Sequence, residues 1–187
     1  MKQSLVKVLC LVCMLLIFDM FGADPSRPAD PLTPNEGSPG KSVPTLGNKH
    51  IPSIRSPHEP YNTSPPTSGP HIHNVAKWGV YRQPLPDELQ VHNLEDGGVL
   101  IQYHCESCQD LIKKLEKLGW EYLKKAKQEK KAQGSSRYGH IIVAPYLKMD
   151  SVIALTAWGK IDTLDAYDEA RIRRFVEAYI GVDHHPK

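Results

Sequence analysis

The sequence predicts an α+β fold: a single compact domain in which a mixed β-sheet carries two main helices packed on one of its faces. Two observations support this prediction. Four short apolar or aromatic runs have the length and composition of strands, and two longer stretches repeat apolar residues at helical spacing. Their order is strand, strand, helix, strand, strand, helix, which favours one sheet covered by both helices.

The predicted strands are short and are bounded by turn residues. The clearest is Val99–Tyr103, because its lack of polar alternation is typical of a strand covered on both faces. Lys77–Tyr81 is aromatic, and the Pro84-Leu85-Pro86 run ends it. The other two predicted strands are His140–Ala144 and Val152–Trp158.

Both predicted helices begin at residues that can cap a helix. The first starts at Ser107 and runs to about Lys131. The second begins after Asp162 or Thr163 and ends at Gly181. Each has an apolar stripe at helical spacing. These stripes are Leu111, Ile112, Leu115, Leu118, Tyr122, Leu123 and Ala126 in the first helix, and Tyr167, Ile172, Phe175, Val176 and Tyr179 in the second.

The N-terminal stretch Met1–Ala23 has the layout of a secretory signal peptide. Lys2 and Lys7 precede an uninterrupted apolar run of 11 residues, and small residues follow it. This run is shorter than the roughly 20 residues that cross a bilayer, so we expect cleavage rather than anchoring. The mature protein is then exported to the periplasm or the extracellular space. The alternative is an uncleaved signal segment, which would be the protein's attachment to a membrane.

Residues 24–60 predict a Pro-rich flexible tether. Twelve of the sixteen prolines lie between Pro25 and Pro70, with few large apolar residues among them. Such a segment buries too little apolar surface to offset the entropy lost on ordering. The α+β domain is therefore expected over residues 61–187, which is a usual size for one domain.

Two turn-flanked histidines are the main candidate ligands. His71 ends the loop Ser64–Pro70, whose prolines cannot continue a helix or a central strand. His92 opens the turn His92–Gly98, and His73 shares the first loop. Imidazoles held by two rigid turns can converge on one metal ion.

The identity of the metal depends on two further side chains. Asp96 can add a hard oxygen ligand, and Met149 offers a soft thioether. Imidazole with thioether favours copper, whereas imidazole with carboxylate favours zinc. Filling a gap in the core is the alternative role for Met149.

Cys105 and Cys108 end a predicted strand and open a predicted helix, which is the place of a thioredoxin-like redox pair. Three interpretations stay open for them: a structural disulfide, a redox pair, and a metal pair suited to Cu(I). The other two cysteines, Cys10 and Cys13, would leave with the signal peptide.

The net charge of the chain and the absence of several sequence motifs argue against some classes of function. A net charge of +2 argues against an extensive nucleic-acid surface, and the lysines of residues 113–131 are expected to form a solvated helix face. The sequence contains no Gly-x-Ser-x-Gly elbow, phosphate-binding glycine loop or His-Glu-x-x-His motif. We therefore expect binding rather than catalysis.

Four motifs occur in order: YNTSPPTSGPH at 61–71, WGVY at 78–81, VHNLEDGGV at 91–99 and LTAWG at 155–159. Together they resemble the domain-of-unknown-function 3105 family, over roughly Lys49 to Ile180. The resemblance implies a location outside the cytoplasmic membrane. The family also carries a His-Ile-Pro before the Pro-Pro-Thr loop, which implies a site role for His50. Where the family usually has the second histidine of His-x-Leu-Glu-His-Gly, this chain has Asp96.

The leading hypothesis is an exported protein that binds a transition-metal ion and acts in metal handling. Copper is favoured, and zinc is the alternative. The predicted ligands are His71, His92, Met149, His50 and Asp96. One alternative is a thiol-disulfide oxidoreductase that uses Cys105 and Cys108. The other is a non-enzymatic module in which Trp78 and Tyr81 contact an extracytoplasmic protein partner.

Overall fold

A computed structural model describes residues 37–105 and 107–185. The predicted signal peptide and residues 24–36 of the predicted tether lie outside the described residues. Six strands form one mixed sheet: β1 Lys41–Ser42, β2 Gly79–Val80, β3 Val99–Tyr103, β4 Ile141–Pro145, β5 Ile153–Ala157 and β6 Lys160–Leu164. Their spatial order is β1-β6-β5-β3-β4-β2.

In the described part of the chain, three α-helices accompany the sheet: α1 Asp87–Glu95, α2 Gln109–Gln133 and α3 Glu169–Tyr179. The parallel neighbours β3 and β4 are joined through α2, because parallel strands need a long crossover connection. By contrast, β5 pairs with β3 and with β6 in antiparallel fashion. Within the described ranges, no helix is long and apolar enough to cross a membrane.

The two long helices, α2 and α3, cover the same face of the sheet. Side chains alternate along a strand, so Val99, Ile101 and Tyr103 of β3 point to this face. They share one buried core with apolar residues of both helices, which are Leu115, Leu118, Tyr122, Ile172, Phe175 and Val176. This arrangement confirms the predicted α+β fold with both main helices on one face.

The opposite face of the sheet is covered by α1 and by the segment that precedes it. Leu100 of β3 packs there with Leu94 of α1 and with Ala76, in a second and smaller core. Trp78 and Tyr81 pack at the edge of this core, and the Trp78 ring stacks on His140 at a centroid distance of 4.9 Å. The side chains of Trp78 and Tyr81, which were proposed to contact a protein partner, are thus partly buried against residues of the domain itself.

Two elements differ from the predicted order. The last helix begins at Glu169 with Asp168 as its cap, and the residues expected to start it instead form β6. Asp162 of β6 accepts two hydrogen bonds from Arg171 of α3. Its carboxylate therefore links β6 to α3 and does not cap a helix. The helix α1 includes His92–Glu95, which are the first four residues of the predicted turn His92–Gly98.

The predicted tether also differs from the structure from Gly37 onward. The described residues from Gly37 onward form one compact unit. Lys41–Ser42 pairs with β6, and the Tyr179 hydroxyl donates to the Pro39 carbonyl at 2.6 Å. Residues 37–60 therefore belong to the domain, because backbone pairing holds a stretch whose composition alone indicated flexibility.

Candidate metal centre

The helix α1 places His92 and Glu95 on one face, since residues three apart lie on the same side of a helix. Gly97 ends the helix with a φ of +78°. Its N–H donates to the Leu94 carbonyl, and the Gly98 N–H donates to the Asn93 carbonyl. This is a Schellman ending, which favours glycine at the left-handed position.

The segment before α1 brings two more histidines beside it. His50 and His71 form a parallel backbone bridge. The Ile51 N–H donates to the His71 carbonyl at 2.8 Å, and the His71 N–H donates to the Lys49 carbonyl at 3.0 Å. The loop docks on α1 because the Ile72 N–H donates to the Glu88 carbonyl at 3.0 Å.

The imidazole rings of His50, His71 and His92 converge. Ring centroids are 4.7 Å apart for His50 and His71, 5.0 Å for His71 and His92, and 5.3 Å for His50 and His92. His73 stacks on the outer side of His50 at 3.9 Å. His71 and Glu95 are fully buried, His92 is 9 % exposed, and His50 is exposed. The cluster is therefore open to solvent at His50, while its inner side, formed by His71 and Glu95, is buried.

Two of these rings are oriented by hydrogen bonds to backbone carbonyls. The Nδ1 of His71 is 2.8 Å from the Gly69 carbonyl oxygen, and the Nδ1 of His92 is 2.7 Å from that of Ile72. A carbonyl can only accept, so Nδ1–H donates in both rings, which leaves the lone pair of Nε2 available to a metal ion. This outer contact is the usual way in which metal-binding histidines are fixed.

The contact between His71 and Glu95 lacks a proton donor. His71 Nε2 lies 3.0 Å from Glu95 Oε2, and both side chains have zero exposure. Burial lowers the pKa of His71, so we assign a neutral ring whose Nε2 carries a lone pair. Two acceptors then face each other, and neither atom has a hydrogen-bond donor within the described part of the chain. A cation placed between them would satisfy both.

The donor atoms lie close enough together to be candidates for one metal coordination shell. One ligand atom from each of His50, His71, His92 and Glu95 lies within 4.8 Å of the others. Bonds of about 2.0–2.1 Å to a tetrahedral ion put ligand atoms about 3.3 Å apart. Modest side-chain movement therefore closes this set around one ion.

A second set lies next to the first and shares His92. One ligand atom from each of His92, Asp96 and His185 lies within 4.8 Å of the others. Asp96 Oδ1 is 3.8 Å from His92 Nε2 and 3.7 Å from His185 Nε2. The hydrogen bond to Asp183 raises the pKa of His185. Asp96 thus lies at the edge of the histidine cluster and not among its four-residue set.

Met149 does not join the histidines. Its side chain is buried in a small apolar cluster with Tyr146 and Ala154. The residue thus fills space in the core, and the thioether argument for copper loses its structural basis.

Sequence reasoning did not single out Glu95 and His185 as candidate ligands. Glu95 lies within the predicted turn His92–Gly98. The helical register of α1 instead directs Glu95 toward His71. His185 lies outside the four motifs, and although its side chain is 40 % exposed, its Nε2 is 3.6 Å from Glu95 Oε2. A helix prediction over residues 87–95 would have placed Glu95 beside His92.

Cys105 and Cys108 belong to neither ligand set and are bonded to each other. The Sγ atoms of Cys105 and Cys108 form a disulfide. Cys108 is the N-cap residue of α2, as the sequence indicated for a strand-to-helix junction.

Comparison with known proteins identifies a family. No curated protein and no solved structure matches this chain. The sequence model of a family described as "Protein of unknown function (DUF3105)" matches residues 58–187. The match covers well over half of the chain and confirms the resemblance seen in the four motifs. The chain belongs to the DUF3105 family.

Proposed function

We propose that this protein binds one divalent transition-metal ion through His50, His71, His92 and Glu95. The observation that carries the proposal is the buried pair of acceptors, His71 Nε2 and Glu95 Oε2, which are 3.0 Å apart. A buried polar atom without a partner is costly, so such a pair needs a proton or a cation. The lowered pKa of His71 disfavours the proton.

Copper in its divalent form is the ion that we propose, with zinc as the alternative. Three imidazoles and a carboxylate suit both ions, and this donor set contains no sulfur. For a given site of nitrogen and oxygen ligands, affinity rises from zinc to Cu²⁺. The geometry of the site and the availability of each ion can reverse this order of affinities. A competition experiment between Cu²⁺ and Zn²⁺ therefore decides which ion the protein prefers.

We place the function in metal handling outside the cytoplasm, and not in catalysis. The signal-like segment Met1–Ala23 supports export. The exposed position of His50 supports exchange of an ion with the surroundings, because a handled ion must both enter and leave.

Titration calorimetry of metal-stripped protein with Cu²⁺ and with Zn²⁺ tests the proposal. The expected result is one equivalent bound per chain and a loss of affinity of at least about tenfold in His50→Ala. His50 is exposed, so this substitution leaves the core intact. His58→Ala is the matched control, because His58 contacts Glu88 and is absent from both ligand sets. Absence of binding of both ions at micromolar concentration would refute the proposal.

A thiol-disulfide oxidoreductase is the second candidate function. The observation in its favour is the disulfide that ends at the N-cap of α2, where the helix dipole stabilises a thiolate. An insulin-reduction assay with the wild-type protein and with Cys105→Ser tests it. Turnover that the variant lacks would support the redox function, whereas equal and negligible rates would leave a structural disulfide.

A further inference from the structure

The segment that follows α3 docks on the end of α1, next to the ligand cluster. The Gly181 N–H donates to the Gly97 carbonyl at 2.7 Å, and the His184 N–H donates to the Glu95 carbonyl at 2.9 Å. The His184 ring stacks on Trp158 at a centroid distance of 6.1 Å. The backbone of this segment is thus held at two points, and His185 follows the second one directly.

His185 is oriented toward the carboxylates beside the histidine cluster. Its Nδ1 is 2.7 Å from Asp183 Oδ1, which leaves Nε2 free on the other side of the ring. That Nε2 lies 3.6 Å from Glu95 Oε2 and 3.7 Å from Asp96 Oδ1. A carboxylate on one ring nitrogen and a free second nitrogen is the arrangement of a metal-binding histidine.

The two ligand sets cannot both be complete at the same time. They share His92, whose Nδ1 is committed to the Ile72 carbonyl. Only Nε2 of His92 remains, and one nitrogen lone pair coordinates one ion. The set of His92, Asp96 and His185 and the set of His50, His71, His92 and Glu95 are therefore alternative positions for an ion.

The two positions differ in depth. The side chains of His185 and Asp96 are 40 % and 31 % exposed, whereas those of His71 and Glu95 are fully buried. His50 of the inner set is exposed as well, so the inner position also opens to solvent on that side. An ion that arrives on the side of the segment after α3 meets His185 and Asp96 before it reaches the buried His71 and Glu95. The carboxylates of Asp96 and Glu95 also draw a cation toward this side.

We propose that His185 and Asp96 form an outer landing position from which a divalent metal ion passes to the inner position. This inference rests on the proposed metal-binding function. His92 stays bound through the transfer, while Asp96 and His185 are exchanged for His71 and Glu95. The step changes coordination bonds only, so neither the metal nor the protein is oxidised or reduced.

Stopped-flow measurement of Zn²⁺ and Cu²⁺ association tests this route. His185→Ala and Asp96→Asn are expected to lower the association rate constant about tenfold, at the low end of the effect of charged clefts on association rates. Dissociation should slow by a similar factor, because a landing position serves both directions, so Kd changes less than about threefold. His184→Ala is the matched control, since its backbone contact persists and its ring is in neither ligand set.

Each contrary outcome identifies what fails. Unchanged rates in both variants would refute the landing position while leaving the proposed function intact. An affinity loss of tenfold or more with an unchanged association rate would make His185 an ordinary ligand and overturn the inference. Two tightly bound ions per wild-type chain would contradict the alternation of the two positions. If the wild-type protein binds neither ion, the proposed function falls and this inference falls with it.

Discussion

The substitution Glu95→Gln separates metal binding from stability, because it should affect them in opposite directions. In the metal-free protein, Glu95 Oε2 faces the acceptor Nε2 of His71 at 3.0 Å, and both are buried. The glutamine amide has the same shape and can donate a hydrogen bond to His71 Nε2. Its remaining oxygen can still accept from Asn48 Nδ2, which now bonds Glu95 Oε1 at 2.8 Å.

The size of the effect follows from this exchange of groups. Satisfying a buried acceptor and removing a buried charge should raise the free energy of unfolding of the metal-free protein by about 1–3 kcal/mol. The same change removes the anionic ligand and should weaken metal binding at least about tenfold. At a metal concentration of about one hundred times the wild-type Kd, binding stabilises the wild type by about 2.7 kcal/mol. A tenfold weaker variant gains about 1.4 kcal/mol.

Urea unfolding in the presence of a chelator, and again with metal, measures these terms. Asp96→Asn is the comparison for metal-free stability, because the Asp96 side chain is 31 % exposed and its Oδ1 is 3.8 Å from His92 Nε2, beyond hydrogen-bond distance. Its effect without metal should stay within about 0.5 kcal/mol. A metal-free Glu95→Gln protein that is less stable than wild type would refute the reasoning. So would unchanged metal affinity.

Three further substitutions test the architecture around the site. Met149→Leu should leave metal affinity unchanged and cost less than about 1.5 kcal/mol of unfolding free energy, since the residue packs in an apolar cluster; a loss of metal affinity in calorimetry would contradict this. Gly97→Ala should destabilise the protein by about 1–3 kcal/mol in urea unfolding, because φ is +78° and an added Cβ would lie 2.7 Å from the Val182 nitrogen; wild-type stability would count against it. Asn93→Ala should cost about 1–3 kcal/mol for each Ala76 backbone group that it leaves unpaired, and a smaller loss would show that the loop does not depend on this contact.

The regular part of the fold was accessible from the sequence. The strand predicted at Val99–Tyr103 is observed with those bounds, and α2 lies within two residues of its predicted ends. These segments are apolar in the right period over enough residues that local pattern and tertiary packing agree. The end of α2 is also explained by local sequence, because Gly134 has a φ of +83° and glycine is favoured in this left-handed conformation after a helix.

The helix α1 shows why the site was harder to predict. Its buried residues are Gln90, Val91, His92, Asn93, Leu94 and Glu95, so it is covered on most sides and has no single apolar stripe. Polar residues in a short segment before Gly-Gly indicate a turn when only periodicity is considered. Tertiary contacts make it a helix, and the helix in turn gives Glu95 its place beside His71.

The convergence of the histidines was predictable in part. His71 and His92 were expected to meet, and their rings do lie 5.0 Å apart. Local composition carries no information on pairs that are distant in the chain. The contacts of His50 with His71 and of His185 with Glu95 depend on backbone pairing and docking of remote segments. For the same reason, the sequence could not show that Met149 packs elsewhere.

X-ray absorption at the metal edge of the loaded protein tests the central claim most directly. The account predicts one ion per chain, with nitrogen and oxygen neighbours at about 2.0–2.1 Å and the multiple-scattering pattern of imidazole. A sulfur neighbour at about 2.3 Å would contradict the assigned ligand set. Absence of an imidazole signature would contradict the claim that this cluster holds the metal.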